Sequence, residues 1–185
     1  MAVTKKVAVL VGSLRKDSFS KKVAEELIRQ APAMLQGEIV DISALNMFNQ
    51  DLEEEGKTPA SWIEFRNKVR EFDAVLFVTP EYNRSVPPVL KNAVDIGSRP
   101  YGQSVWDGKA GAILSVSPGR IGGFGANHHL RQSLVFLNVA TLQAPEAYFG
   151  EIDKGIGPDG KFDERTTGHL KDFMTAFADW IKKIC

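Results

Sequence analysis

The chain has 185 residues, most simply one domain, and 43% of them are hydrophobic, which is ample for a single core. Lys and Arg total 23, as do Asp and Glu, and a net charge of zero argues against nucleic acid or an anionic membrane as partner. The single cysteine, Cys185, excludes an internal disulfide framework and is typical of a cytoplasmic protein. No apolar run reaches the roughly 18 residues of a membrane span.

Apolar runs alternate with amphipathic segments along the chain. The pattern predicts strands at residues 7–11, 38–42, 74–78, 110–116 and 140–142, the last interrupted by Pro145 and resuming at 147–149. It predicts helices at residues 20–31, from Pro59, at 87–96, at 125–137, and after Asp163 as N-cap. A long loop at residues 43–58 has an acidic end that includes Glu55.

Five strands that alternate with five helices predict an α/β fold, with a parallel sheet covered on both faces. Right-handed crossovers then favour a doubly wound sheet, for which the strand order 2-1-3-4-5 is common at this size. Residues 1–185 form one domain in this interpretation. Ligands of such sheets bind at the carboxyl ends of the strands, so the loops there are the candidate sites.

The loop after the third strand, residues 79–88, is the most informative segment, with the sequence T-P-E-Y-N-R-S-V-P-P. It follows a buried strand and leads into a helix that opens with prolines. A flat aromatic ring, rigid prolines and unpaired backbone groups suit a planar heterocyclic ligand. A rigid structural turn remains the alternative, since the prolines suit any stiff connection.

The loop after the first strand, residues 12–20, combines a glycine, three serines and Arg15 before a helix start. Hydroxyl donors, a guanidinium and the positive end of a helix together favour phosphate. The alternative is a polar loop in which Ser18 or Ser20 is only an N-cap. The loop has neither the G-x-G-x-x-G nor the Walker A spacing, which disfavours a dinucleotide or P-loop site.

A third loop, residues 115–125, is rich in glycines, which let a backbone approach a ligand closely or simply form a flexible turn. His128 and His129 are adjacent and point about 100° apart on a helix, so they do not form an i, i+4 metal pair. No metal site and no nucleophile elbow are predicted. Glu81 is the single carboxylate of residues 79–88, and its backbone is expected to matter more than its charge.

Three motifs in order, G-S-L-R-K-x-S, P-E-Y-N-x-S-x-P and S-P-G-x-I-G-G, resemble the NADPH-dependent FMN reductase family of flavodoxin-like proteins, and most closely its bacterial chromate and quinone reductases. The resemblance covers essentially the whole chain. It implies that FMN is bound by its phosphate in the first loop and by its ring in the other two. The implied FMN-binding residues are Ser13, Arg15, Ser18, Ser20, Pro80, Glu81, Tyr82, Asn83, Ser117 and Gly119.

The resemblance also implies the activity. The expected enzyme passes electrons from NADH or NADPH through FMN to a quinone, an azo compound or a metal oxyanion such as chromate, with no catalytic side chain. Tyr82 and Arg84 are the candidates for contact with the nicotinamide nucleotide. Two departures from the family are Ser20, where Asn is common, and Pro88, where Gly is common.

A homodimer or homotetramer is expected, chiefly from the resemblance. Phe124, Arg131 and Phe136 are a secondary hint, because aromatic residues and Arg are enriched at interfaces. The alternative is that both phenylalanines fill the core.

Two other functions compete with the enzyme. A flavodoxin carrier would shuttle electrons without oxidising NAD(P)H, but carriers are usually acidic and use a Thr-rich phosphate loop. The zero net charge and Arg15 favour the enzyme. A flavin-free dehydrogenase is the third interpretation.

Overall fold

The computed structural model describes residues 4–54 and 56–185. Its strands are β1 (Lys5–Val11), β2 (Leu35–Ile39), β3 (Ala74–Thr79), β4 (Ala110–Val116), β5 (Ala140–Thr141) and β6 (Tyr148–Phe149). Its α-helices are α1 (Phe19–Gln30), α2 (Ala60–Arg70), α3 (Pro88–Gly97), α4 (Phe124–Phe136) and α5 (Glu164–Ile184). Short 3-10 helices span Gln50–Glu53 and Ile152–Gly155. No helix in these described ranges is long and apolar enough to span a bilayer.

All strand pairs are parallel, and the sheet order is β2-β1-β3-β4-β5, with β6 also paired to β4. The predicted α/β fold and its 2-1-3-4-5 order are therefore confirmed. β5 pairs with the start of β4 and β6 with its end, so they are two pieces of one interrupted fifth strand, as predicted. Pro145 lies in the interruption, where no ladder N–H is needed.

The core lies in two layers, one on each face of the sheet. α1 and α5 cover one face, and α2, α3 and α4 cover the other. Every residue of β3 and β4 is buried, which is why both strands read as continuous apolar runs rather than as alternating patterns. Trp62, Phe77 and Trp106 are the bulkiest fully buried side chains of the second layer.

The second strand is predicted at residues 38–42 and is present, but its bounds are wrong by three residues, because β2 spans Leu35–Ile39. Val40 and Ile42 are buried, but they lie in the connection that leaves the sheet and packs in the second layer. The N–H of Val40 still donates to the carbonyl of Val9, so pairing ends just after β2 while burial continues to Ile42. Glu55, at the acidic end of the same connection, lies outside the described residues.

Buried Asn92 of α3 holds the connection between β2 and α2 in place. Its Oδ1 accepts from the backbone N–H of Phe48 at 2.8 Å, and its Nδ2 donates to the carbonyl of Asn46 at 3.1 Å. The ring of Phe48 stacks on Trp62, with centroids 5.5 Å apart. The side-chain amide of Asn92 therefore provides hydrogen-bond partners for backbone groups of a loop that lies outside the sheet and the helices.

Candidate functional site

The three loops predicted to carry chemistry meet at the carboxyl edge of the sheet. Val11 pairs in register with Val78, and Thr79 pairs with Ser115, so β1, β3 and β4 end side by side. Gly12 allows the first loop to lie against the second, because a Cβ there would be 3.0 Å from both Pro80 Cδ and Thr79 Oγ1. The parallel topology therefore brings residues that are far apart in the sequence to one site.

The serines of the first loop have two roles that the sequence left as alternatives. Ser18 is the N-cap of α1, and its Oγ accepts from the N–H of Lys21 at 3.2 Å. Ser13 Oγ accepts from the N–H of Arg15 at 3.3 Å. In both cases the oxygen is the acceptor, so each hydroxyl retains its hydrogen for an outside acceptor. Capping and phosphate binding are thus compatible.

The charge around the first loop favours an anion. A groove of about 390 Å³ runs between this loop and the chain beyond β2, and Arg15, Lys16 and Lys21 contribute to its wall. No acidic residue occupies the first turn of α1 to oppose the helix dipole. Ser20 is buried in that turn, deeper than the exposed Arg15.

Asp41, on the far wall of this groove, is oriented toward its own backbone. Its Oδ1 accepts from the N–H of Ser43 at 2.8 Å, and this hydrogen bond lowers the pKa of Asp41 below its ordinary value. Asp41 is also exposed, as a solvated carboxylate at the end of a strand would be.

The second loop forms a two-residue hairpin turn. Tyr82 and Ser85 exchange two backbone hydrogen bonds, of 3.1 and 3.0 Å. Asn83 and Arg84 between them have φ of 51° and 64°, the left-handed values that such a turn requires. The side chains of Tyr82, Asn83 and Arg84 are all exposed at the loop tip.

Glu81 has a partner that the sequence analysis missed. Its carboxylate is only 11% exposed, and Oε2 accepts from the backbone N–H of Ala126 in the first turn of α4 at 3.0 Å. Its Oε1 lies 3.2 Å from Nη1 of Arg84. No sequence signal near residue 81 could have indicated the contact with α4, because its acceptor and donor are 45 residues apart.

The third loop owes its shape to its glycines. Gly122 and Gly123 have φ of 64° and 77°, and a Cβ on Gly122 would lie 2.6 Å from the backbone carbon of Tyr148. These two glycines are therefore required by backbone conformation and packing. Ser117 Oγ accepts from the N–H of Gly119 at 3.0 Å, and the carbonyl of Gly119 accepts from the N–H groups of Gly122 and Glu151, both at 3.3 Å, so hydrogen bonds fix this part of the loop while Gly119 itself stays exposed.

The two helical histidines have separate partners. His128 Nε2 lies 2.8 Å from the hydroxyl of Tyr148, and His129 Nδ1 lies 3.0 Å from Ser85 Oγ. Burial, followed by the hydrogen bond to Glu146, raises the pKa of Tyr148 to about 12. Within residues 4–54 and 56–185, no group of three or more His, Cys, Asp or Glu side chains is arranged to hold a metal ion.

A larger cavity, of about 720 Å³, lies beside the three loops rather than between them. It is bounded by the segment around β6 and by the first turns of α5, with Asp163, Arg165, His169 and Asp172 on its wall. Its mixed charges and its position to one side do not match the donor set of the three loops. We therefore place the candidate site at the carboxyl edge of the sheet, where the three loops meet.

The chemical groups that the three loops present fit FMN as a bound cofactor. One loop presents hydroxyl hydrogens, a guanidinium and a helix N-terminus, which suit a single phosphate. The other two present an exposed tyrosine ring and open backbone, which suit a flat ring system.

Comparisons with known proteins agree with FMN as the cofactor. Residues 5–154 match the family model for NADPH-dependent FMN reductase. A quinone reductase of Pseudomonas putida is 55% identical over 176 residues, covering 95% of this chain and 94% of the relative. A 2-hydroxy-1,4-benzoquinone reductase of Burkholderia is 42% identical over 178 residues, covering 96% of each.

Solved structures share this fold, and one of them is a flavoenzyme. The flavoenzyme NAD(P)H:acceptor oxidoreductase FerB of Paracoccus denitrificans has a TM-score of 0.90 at 40% identity, covering 98% of this chain and 99% of that one. A flavodoxin variant of Pseudomonas aeruginosa, at 17% identity and a TM-score of 0.62, shares the fold over 96% of this chain and 99% of its own.

The fold and site thus define a flavodoxin-like oxidoreductase. The chain belongs to the NADPH-dependent FMN reductase family, whose enzymes use FMN and NAD(P)H. The family resemblance read from the motifs is confirmed, and the enzyme is supported over the carrier.

Proposed function

We propose that this chain is an FMN-containing NAD(P)H:quinone reductase. The observation that carries the proposal is that the three candidate loops meet at one edge of the sheet, in a chain 55% identical to a named quinone reductase. Azo compounds and metal oxyanions such as chromate are further candidate acceptors, since an exposed flavin face is open to many oxidants. The proposed location is the cytoplasm.

The residues proposed to hold FMN are those of the three loops. Ser13, Arg15, Ser18 and, more deeply, Ser20 would hold the phosphate. Residues 80–83 would lie along the ring on one side, and Ser117 and Gly119 along the other. Bound FMN would supply two-electron chemistry, accepting hydride from NAD(P)H and passing the electrons to the acceptor.

The protein's own contribution is to bind and orient. Tyr82 and Arg84, exposed at the hairpin tip, are proposed to contact the nicotinamide nucleotide. No His or Cys belongs to residues 12–20, 79–88 or 115–125, and no pair of carboxylates there forms an acid–base couple. Protons would therefore come from water or from the cofactor itself.

Steady-state kinetics of the purified protein test this function. We expect one FMN per chain, NADPH oxidation that depends on added quinone, and parallel double-reciprocal lines when NADPH is varied at several quinone concentrations. Intersecting lines would contradict a shared flavin face. Protein that binds FMN but does not oxidise NADPH or NADH would instead be a carrier.

A homodimer or homotetramer is proposed as the functional assembly. Phe124 and Phe136 are 47% and 85% exposed, so the alternative that both fill the core is wrong. Val135, next to Phe136 in the sequence, is 72% exposed. Three exposed apolar side chains on α4 favour a surface covered by a second copy.

A further inference from the structure

Helix α4 begins without a cap of its own. Its N-cap residue is Gly123, which has no side chain to satisfy the unpaired N–H groups of the first turn. The carboxylate of Glu81, from the second loop, accepts from the N–H of Ala126 at 3.0 Å instead. A negative charge is also favourable at this position, because it faces the positive end of the helix dipole.

A second contact joins the same two segments through the backbone. Gly125 lies in the first turn of α4, and a Cβ there would be 2.6 Å from the carbonyl oxygen of Arg84 and 2.9 Å from Glu81 Oε2. The hairpin of the second loop therefore rests directly on the helix. Its position on the helix leaves no room for a methyl group at residue 125.

A third contact lies one turn further along the helix, where Ser85 Oγ is 3.0 Å from His129 Nδ1. The three contacts are spread over the whole second loop, from Glu81 to Ser85. They connect it to the helix that directly continues the third loop. The second and third loops are therefore held as one unit, which we call the 81–126 latch after its central hydrogen bond.

We propose that Glu81 is a positioning residue whose side chain latches the second loop onto α4 and so sets the width of the slot for the isoalloxazine ring. This inference rests on the proposed placement of FMN in the three-loop cleft. It differs from the sequence expectation, in which the backbone of Glu81 matters more than its charge. It assigns no proton transfer to the carboxylate.

The 81–126 latch predicts a change in the binding affinity for the isoalloxazine ring that does not depend on the phosphate. Riboflavin has the ring of FMN but lacks its phosphate, so the two ligands separate the two halves of the site. Glu81→Ala should weaken the binding of riboflavin and FMN by the same factor, about tenfold or more for the loss of a charge-assisted hydrogen bond. Arg15→Ala should weaken FMN binding and leave riboflavin binding unchanged.

Two further variants distinguish the latch from general destabilisation. Glu81→Gln retains an oxygen for the N–H of Ala126 and should recover most of the ring affinity. Gly125→Ala removes no polar group, but its added methyl group would clash with the second loop from the α4 side. It should therefore weaken the binding of both ligands, as Glu81→Ala does. Asp95→Asn, which removes an exposed carboxylate paired with Lys91 on α3, is the matched control.

The experiment is a fluorescence titration of full-length apoprotein with FMN and with riboflavin, alongside the visible circular dichroism of the bound flavin. Equal losses for both ligands in Glu81→Ala and Gly125→Ala, with affinity recovered in Glu81→Gln, support the latch. Wild-type riboflavin affinity in folded Glu81→Ala or Gly125→Ala overturns it. If Glu81→Ala does not fold, Gly125→Ala decides on the same criterion. Wild-type protein that binds neither ligand would refute the proposed FMN site instead.

Discussion

Single side chains at this site perform two tasks at once. The hydroxyls of Ser13, Ser18 and Ser117 each accept a hydrogen bond from a nearby backbone N–H, which fixes the loop, and each retains a hydrogen to donate. Arg15 differs, because its side chain is exposed at the surface of the first loop. The serines therefore shape the loops, whereas Arg15 is the residue that we propose to add charge-assisted affinity for the phosphate.

Replacing Arg15 by Ala tests this division. We expect FMN binding to weaken by about 1.5–3 kcal/mol, the usual value of a charge-assisted hydrogen bond, with little change in protein stability. Titration of apoprotein with FMN measures the loss, and thermal unfolding of the apoprotein measures the stability. Unchanged FMN affinity would remove Arg15 from the phosphate site.

At the scale of elements, some helices are capped by residues next to them in the sequence, whereas other helices and loops are held by side chains from distant segments. Asp163 caps α5 locally and accepts from the N–H of Thr166 at 2.7 Å. Glu81 caps α4 from another loop, and Asn92 of α3 anchors the connection after β2. The local cap was predicted from the sequence, while the two distant contacts were not.

The α5 cap predicts a specific pH dependence. The hydrogen bond from the backbone of Thr166 lowers the pKa of Asp163 from its ordinary value of 3.8. A lowered folded-state pKa means that the carboxylate stabilises the fold above the ordinary pKa, and that this contribution is lost as the pH falls through the folded-state value. Asp163→Asn, which caps without a charge, should therefore be less stable than wild type at neutral pH, with the difference shrinking below pH 3.8.

Urea unfolding of both proteins between neutral pH and the acid limit checks this expectation. Asp163→Ala, which removes the cap entirely, is the comparison that separates capping from charge, because it should remain less stable than Asp163→Asn even in acid. A difference between wild type and Asp163→Asn that grows as the pH falls would contradict the assignment.

At the scale of the whole molecule, the open question is what covers the exposed apolar side chains of α4. Phe124 lies at the start of α4, next to the third loop, and Val135 and Phe136 lie at its far end. Exposed large apolar side chains on one helix favour an interaction surface. A second copy of the chain is the partner we propose.

Phe136→Ser tests this surface. Wild-type protein should have a mass above 20.4 kDa by light scattering at micromolar concentration, and the variant should shift toward that monomer mass. The expected loss is about 1.5–3 kcal/mol per copy, the value of burying one phenylalanine. Tyr101→Ser, at an equally exposed aromatic residue in the loop after α3, should leave the mass unchanged. A wild-type mass of 20.4 kDa would reject the assembly.

The sequence by itself determined the class of fold and the three loops that meet at the carboxyl edge of the sheet. Buried parallel strands are continuous apolar runs and amphipathic helices repeat with their own period, so β3, β4 and α5 could be located without a structure. Both are local properties of the chain. The same reasoning misplaced the bounds of β2, because Val40 and Ile42 are buried beyond the end of the strand and burial alone does not mark where strand pairing ends.

Only the tertiary structure decided what connects the loops. The hydrogen bond from Ala126 to Glu81, the contact between Gly125 and Arg84, and the anchoring of residues 45–48 by Asn92 all join segments that are far apart in the sequence. The exposure of Phe124 and Phe136 was equally undetermined, since a phenylalanine in an amphipathic helix suits a core or an interface. Such contacts depend on how the elements pack, and a pattern along one chain carries no information about which distant segments will meet.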